Sequence, residues 1–491
     1  MKKSRILALI LFSAILTSCG DSVGTTQNTG DNANDDSVSH VPESTSKYTD
    51  ELPSLKYEGK EFNVLTFDQA TLSFARSVID TEAQNADTIN DAIYVRNRNV
   101  EERLDIKIKV SLCGYAPTDN LRDMQNRVLS GDDSYDLVMD FANNVNSMAI
   151  QGLLYDFRDL KYVDLTKEYW CDSLNSSLSI ANRNFMAVGD YSLSSHDGTG
   201  IMIFNKALHD SLGLDDVYKL VKDGKWTFDT FCDQAKAAVS DLNGDSKMDK
   251  SDRYGYLSIP KEIPSSFWMG AGELAISKDK DDIPYLSADK DERFINAFDK
   301  LLDMIWSDDV WFPSDKPNGA GAAESPKFED GQGLFGFQRL FTLEDMRVKE
   351  VDFGIIPFPK YEETQEKYWS RVAGLVMGMI PINVKDPDMT GAVLEALCSE
   401  SRSTTIPAYY DVMLNYKLTR DEESSEMLDI IFANRVCDHG DLTWCSYLRD
   451  GIFCQMVMNN DHDIASKIES IREKLQASID DTVNGYKNAG N

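Results

Sequence analysis

The chain of 491 residues is short of the groups that run most proton-transfer and metal chemistry. It has five histidines, and one of them, His40, falls in a polar stretch with no apolar pattern. No HExxH, GxSxG, P-loop or paired-histidine motif occurs, so zinc-hydrolase, serine-hydrolase and nucleotide-hydrolysing chemistry has no support in the sequence. Positive charge is also scarce: 50 Lys and Arg stand against 82 Asp and Glu, a formal net charge of −32. That sign repels phosphate backbones and argues against nucleic acid as a partner. Beyond Cys19 the cysteines are Cys113, Cys171, Cys232, Cys398, Cys437, Cys445 and Cys454, too dispersed for a small disulfide-stapled domain. The stretch "CDHGDLTWC" brings Cys437, His439 and Cys445 together, with Cys454 beyond. A zinc site, a Cys437–Cys445 disulfide and partly buried thiols all fit that spacing.

What is present begins at the N-terminus. "MKKSRILALILFSAILTSCG" has Lys2, Lys3 and Arg5, an apolar run from Ile6 to Leu16, then small residues up to Cys19. These are the charged, hydrophobic and cleavage regions of a secretory signal over residues 1–18. The run is about half the ~20 apolar residues that span a bilayer, and no other stretch reaches 18. Leu16-Thr17-Ser18-Cys19 resembles the bacterial lipobox. By that resemblance the signal is cut before Cys19, whose thiol and new amino group are both acylated. Several buried chains hold where one does not. The expected location is the extracytoplasmic face of the cell membrane, reached through the lipid alone. Residues 19–54 then read as lipidated cysteine and disordered tether: rich in Ser, Thr, Asn, Asp and Gly, they bury too little to offset ordering.

The folded body is expected from residue 55. "EFNVLTF" (61–67) is a β-rich run, and 86–104 carries Ile89, Ile93, Val100 and Leu104 at helical spacing. "DIKIKVSL" (105–112) alternates as a strand, 120–131 reads as a helix stopped by glycine, and "YDLVMDF" (135–141) suits a buried strand. This β-α-β-α-β order predicts parallel pairing with right-handed crossovers. "GIMIFNKAL" is a strand running into a helix, and residues 200–325 are otherwise mostly helical. Strands return at "KFEDGQGLFGF", "VDFGIIPFPK" (351–360) and "AGLVMGMIPINV" (373–384), with helices from about 388.

Several segments occur in an order that resembles extracellular solute-binding lipoproteins of bacterial ABC importers, of the sugar-binding family 1 type. They are "GKEFNVLTF", "NVEERLDIKIKV", "GDDSYDLVM", "GLLYDFRDL", "GIMIFNKAL", "GKWTFDTF" and "FEDGQGLFGF…VDFGIIPFPK", and they cover about residues 58–400. The chain departs from that pattern in its extra helical material after 390 and in "SHDGTGIMIF" between the lobes. The resemblance implies an α/β, two-lobe periplasmic-binding-protein-like fold with interlobe crossing strands and extra C-terminal helices. The expected partition is 55–195 with 328–371 as N-terminal lobe, 196–327 with 372–455 as C-terminal lobe, and 456–491 as C-terminal helix and tail. It also implies a monomer, not an enzyme, that closes on a carbohydrate and docks on an importer permease. A peptide or another solute is the alternative ligand. A glycoside-acting enzyme would need two cleft carboxylates at acid and nucleophile separation.

Sugar sites offer aromatic faces to pyranose rings and polar side chains to hydroxyls. Ligands of open α/β sheets bind beyond the C-terminal strand ends. The candidates are Phe67 and Asp68, then Asp140, Phe141 and Asn143, then Trp268 and Glu273 in "SSFWMGAGE", Phe337, and Trp369 with Arg371 in "KYWSRVAG". Trp226 is expected to pack at a helix start, with Thr227 or Asp229 near the N-cap. One more motif remains, "DLNGDSKMDKSD" (241–252). An EF-hand-like loop takes ligands at positions 1, 3, 5, 7, 9 and 12. Those positions hold Asp241, Asn243, Asp245, Lys247 (by its carbonyl), Asp249 and Asp252. Ser246 replaces the usual glycine and Asp252 the usual glutamate, and both changes should weaken affinity. Structural Ca2+ away from the cleft is the expectation.

Overall fold

The computed structural model describes residues 50–72, 74–114, 119–313, 325–346, 351–415 and 422–489. The expected signal, Cys19 and most of the tether lie outside the described residues. The body begins before residue 55, however. Asp50 is buried and accepts from Arg103 Nη2 at 2.7 Å, while Leu52 and Leu55 pack on the first core, so residues 50–54 belong to the body and not to the tether.

The first sheet runs Ile106–Cys113, Lys60–Phe67, Leu137–Phe141, Val376–Pro381, Leu154–Tyr155. Its first three strands are parallel, with Lys60 opposite Ile106 and Val64 opposite Leu137. The crossover helix Thr88–Leu104 starts at Asp87, whose carboxylate accepts from Asn90 N at 2.9 Å. It buries Ile89, Ile93, Val100 and Leu104, the stripe its spacing predicts. The helix Asp119–Ser130 completes the second crossover.

The second sheet runs Phe353–Ile356, Gly200–Asn205, Gly333–Arg339, Tyr254–Leu257. Every residue of Gly200–Asn205, Tyr254–Leu257 and Phe353–Ile356 is buried, as in a sheet covered on both faces. Trp226 is fully buried and Thr227 caps the helix Phe228–Ala238.

The sheets correct the expected partition. Gly333–Arg339 and Phe353–Ile356 both pair antiparallel with Gly200–Asn205, so residues 328–371 belong largely to the second lobe. Val376–Pro381 pairs antiparallel with Leu137–Phe141 and so returns to the first. Apolar runs buried on both faces announce strands without naming a sheet, and only the ladder hydrogen bonds decide.

The two crossing segments lie side by side. Thr199 bridges Val372, and Ala373 N donates to Gly198 O at 2.9 Å. A Cβ on Gly198 would fall 2.4 Å from Ala373 O, which explains the glycine. The helix Pro387–Ser401 packs on Thr88–Leu104, whereas Glu422–Ala433 packs on Phe353–Ile356, so the chain crosses once more between them. The final helix, Ile464–Asn488, straddles both lobes. Tyr486 Oη donates to Asn146 Oδ1 in the first lobe at 2.8 Å, and Arg472 pairs with Asp289 in the second.

Candidate functional site

Between the lobes lies a cavity of about 530 Å³, within the range of small-molecule sites. Its two walls differ in chemistry. On the first lobe, Phe67 ends one strand, Phe74 follows in the next loop and Phe141 ends the strand Leu137–Phe141. Parallel strands bring those ends together, so the rings stack: Phe67 on Phe141 at 5.5 Å and 27°, Phe74 on Phe141 at 5.6 Å and 21°. Beside them is Asp140. Its Oδ1 accepts from Phe141 N at 2.6 Å and Asn144 Nδ2 at 3.1 Å, while Oδ2 is buried without a hydrogen-bond partner. Burial pushes this carboxyl up to about 6, against the pull of those two donors.

The second-lobe wall is charged. Arg371 sits on the short strand Ser370–Arg371, paired with Arg435–Val436. It donates through Nε and Nη2 to the two oxygens of Asp441, at 2.8 and 2.9 Å, and through Nη1 to Glu262. Arg449 donates through Nη1 to Asp441 Oδ1 at 2.9 Å and through Nε and Nη2 to Asp450 at 2.8 and 3.0 Å. Burial alone would raise Glu262, but Arg371, Arg339 and Arg449 outweigh it and hold the carboxyl at about 2. Asp441 is held low by Arg371 and Arg449 against the same opposing burial. Arg339 and Lys261 also line this wall.

Of the residues singled out from sequence, Phe67, Asp140, Phe141 and Arg371 line the cavity. The side chain of Asn143 lies outside the described residues, and its neighbour Asn144 lines the wall. Asp68, Trp268, Glu273, Phe337 and Trp369 do not line it. Asp68 caps its own turn, accepting from Ala70 N at 3.0 Å. Trp268 lies on the helix Ile263–Gly270, every residue of which is buried, and its ring packs on Phe294 and Phe453. Glu273 pairs with Arg293 at 2.8 Å, and burial followed by neighbouring Asp291 lifts it to about 7. Phe337 is buried against Phe358, and Trp369 is half-buried at the entry to its strand.

Phe74, Lys261, Glu262, Arg339, Asp441, Arg449 and Asp450 escaped the sequence reading. The charge ending "GLFGFQR" was the one available signal, a lone Arg closing an apolar strand.

Among the described residues, no three His, Cys, Asp or Glu side chains gather where a metal ion would sit. In the acidic loop, Asp241 accepts from Gly244 N at 2.7 Å and Ser246 N at 2.8 Å, and Asp252 from Leu242 N and Asp249 N, both at 2.8 Å. Ser246 takes the left-handed turn, φ 65°, that position 6 of such a loop requires. The donor types suit calcium, but the carboxylates turn onto the backbone instead of converging. None of them lines the cavity. Cys171, Cys232, Cys398, Cys437, Cys445 and Cys454 are buried thiols.

The architecture is that of the two-lobe periplasmic-binding-protein-like proteins. Solved structures sharing it include UspC of M. tuberculosis, 15% identical with a TM-score of 0.57 over 86% of this chain and 100% of that one. A cyclo/maltodextrin-binding protein complexed with maltotetraose is 13% identical, with a TM-score of 0.58 over 86% and 98%. The galacto-N-biose-/lacto-N-biose I-binding protein of an ABC transporter from Bifidobacterium longum, in complex with lacto-N-biose, is 14% identical, with a TM-score of 0.54 over 86% and 98%. The second and third of these hold saccharides, and the third belongs to an ABC transporter. No family model and no curated relative matches the sequence. No helix among the described residues is long and apolar enough to cross a membrane.

Proposed function

We propose that this chain captures a saccharide in the interlobe cavity and delivers it to an ABC importer permease, acting as a monomer without catalysis of its own. The observation that carries the reading is the cavity itself. A stacked aromatic wall on one lobe faces hydrogen-bonding charged groups on the other, within a fold whose solved relatives hold sugars. Pyranose rings offer an apolar face to such a wall and hydroxyls to such groups. A ligand touching both walls stabilises the closed arrangement by its preferential affinity for it. Lipid attachment at Cys19 keeps the protein at the membrane beside its permease, and calcium fixes the 241–252 loop as a structural clip.

A thermal-shift screen of saccharides against peptides tests the ligand class, because a ligand of the native state raises the melting temperature. A saccharide that raises it, and whose shift is lost in Phe141→Ala, supports the reading. Shifts with peptides alone replace it with the alternative ligand, and release of reducing sugar contradicts a pure receptor. Cys19→Ala should release the protein from the membrane fraction.

A further inference from the structure

We infer that the saccharide bears an oxyanion, a uronate carboxylate or a sulfate ester, and that Arg339 grips it. This inference rests on the saccharide reading above and names the class of sugar. The arginines of the second-lobe wall differ in how many of their donors are engaged. Arg371 spends Nε, Nη1 and Nη2 on Asp441 and Glu262. Arg449 spends the same three nitrogens on Asp441 and Asp450. Arg339 differs. It closes the strand Gly333–Arg339, its backbone N donates to Thr342 Oγ1 at 3.2 Å, and its guanidinium borders the cavity. Among the described residues no carboxylate reaches ion-pair distance of that guanidinium, and no acceptor takes any of its N–H groups.

The position is a prepared one. Gly374 has φ +66°, and a Cβ there would come within 2.6 Å of Arg339 Nη1, so the crossing segment leaves the guanidinium its room. Glu262 and Asp441 are near enough to act on it electrostatically, yet both are committed to the other arginines. Lys261 adds a second cation, with only a 3.7 Å approach to Asp450 to share. The wall therefore sets Lys261, Arg339, Arg371 and Arg449 against Glu262, Asp441 and Asp450, one positive charge in surplus, on a chain whose net charge is −32. Asp140 is the acidic group of the opposite wall, bonded there to Phe141 N and Asn144. The oxyanion therefore belongs at Arg339 and the pyranose face at Phe67, Phe74 and Phe141.

A guanidinium presents parallel N–H donors that match a carboxylate or sulfate bidentately. A ligand spanning both walls would tie the lobes together. Losing one charge-assisted contact of this kind corresponds to about a 10- to 100-fold change in affinity.

The test is isothermal titration calorimetry of the purified protein with matched oligosaccharides in three forms: uronate, carboxyl-reduced neutral, and sulfated. The expected result is at least tenfold tighter binding of an anionic form, weakening as salt is raised. Arg339→Met should bring that form down to the neutral affinity, and Arg339→Lys should keep part of the preference. Whichever of the uronate and sulfate arms binds identifies the source of the oxyanion. Equal or tighter binding of the neutral form, or salt-independent affinity, overturns this inference and leaves saccharide capture standing. Binding of none of the three overturns both. The salt series on the unmodified protein keeps the test decisive if the variants fail to fold.

Discussion

Replacing Asp441 by Asn probes the charged wall most severely. Asp441 is 1% exposed and accepts from Arg371 through both oxygens and from Arg449 through one. An amide retains one acceptor and turns its NH2 toward a guanidinium that offers only donors. Glu262 and Asp450 remain, each already engaged, so two arginines must share what is left. Removing one partner from a buried ion pair costs about 3–5 kcal/mol, because the other charge stays desolvated. Urea denaturation should show a lowered midpoint with an unchanged slope. A cycle with Arg371→Gln and the double variant should give a coupling energy of about 1.5 kcal/mol or more, since neighbours in one network do not add. A cost below about 1 kcal/mol, the value of an exposed pair, would refute the claim that these charges are buried together.

Other expectations follow from the same geometry. Gly198→Ala drives a Cβ to 2.4 Å from Ala373 O and should destabilise the protein by about 1–3 kcal/mol or more, read by the same denaturation. Asp140 ionises near 6 when folded and near its usual 3.8 when unfolded. The native state therefore resists losing that proton, and stability should fall as pH rises from about 4 to 6, by roughly 3 kcal/mol. Asp140→Asn should remove that share of the slope, while other raised carboxyls such as Glu273 keep theirs, and an unchanged slope would count against it. Asp241→Ala with Asp245→Ala should lower the melting temperature more in calcium than in chelator, where only their backbone bonds are lost, with ligand affinity little changed. Equal melting of the unmodified protein in calcium and chelator would show that the loop needs no metal.

The first lobe was legible because its periodicities switch cleanly. Alternation in 105–112 and the Ile89, Ile93, Val100, Leu104 stripe fall within a residue or two of the observed strand Ile106–Cys113 and helix Thr88–Leu104. Phe67, Asp140 and Phe141 were legible as residues lining the cavity for a related reason: parallel strands bring their C-terminal ends to one crevice. The lobe partition was not legible, because "GLFGF" and "FGII" are apolar on both faces and carry no mark of their neighbours. The charged wall was hidden by distance along the chain. Glu262, Arg339, Arg371, Asp441 and Arg449 meet only once three crossings are folded. Trp268 misled for a local reason: "SSFWMGAGE" reads as a small-residue loop, and the structure makes most of it a helix buried on every side.

In the proposed function one ligand touches both lobes across the cavity. Hydrogen exchange with and without a saccharide that raises the melting temperature tests it directly. Added protection is expected at once in residues 67–74 and 140–144 on the first lobe and in residues 259–262, 371–375 and 441–450 on the second. Protection confined to one lobe, or centred on the 241–252 loop, would contradict it.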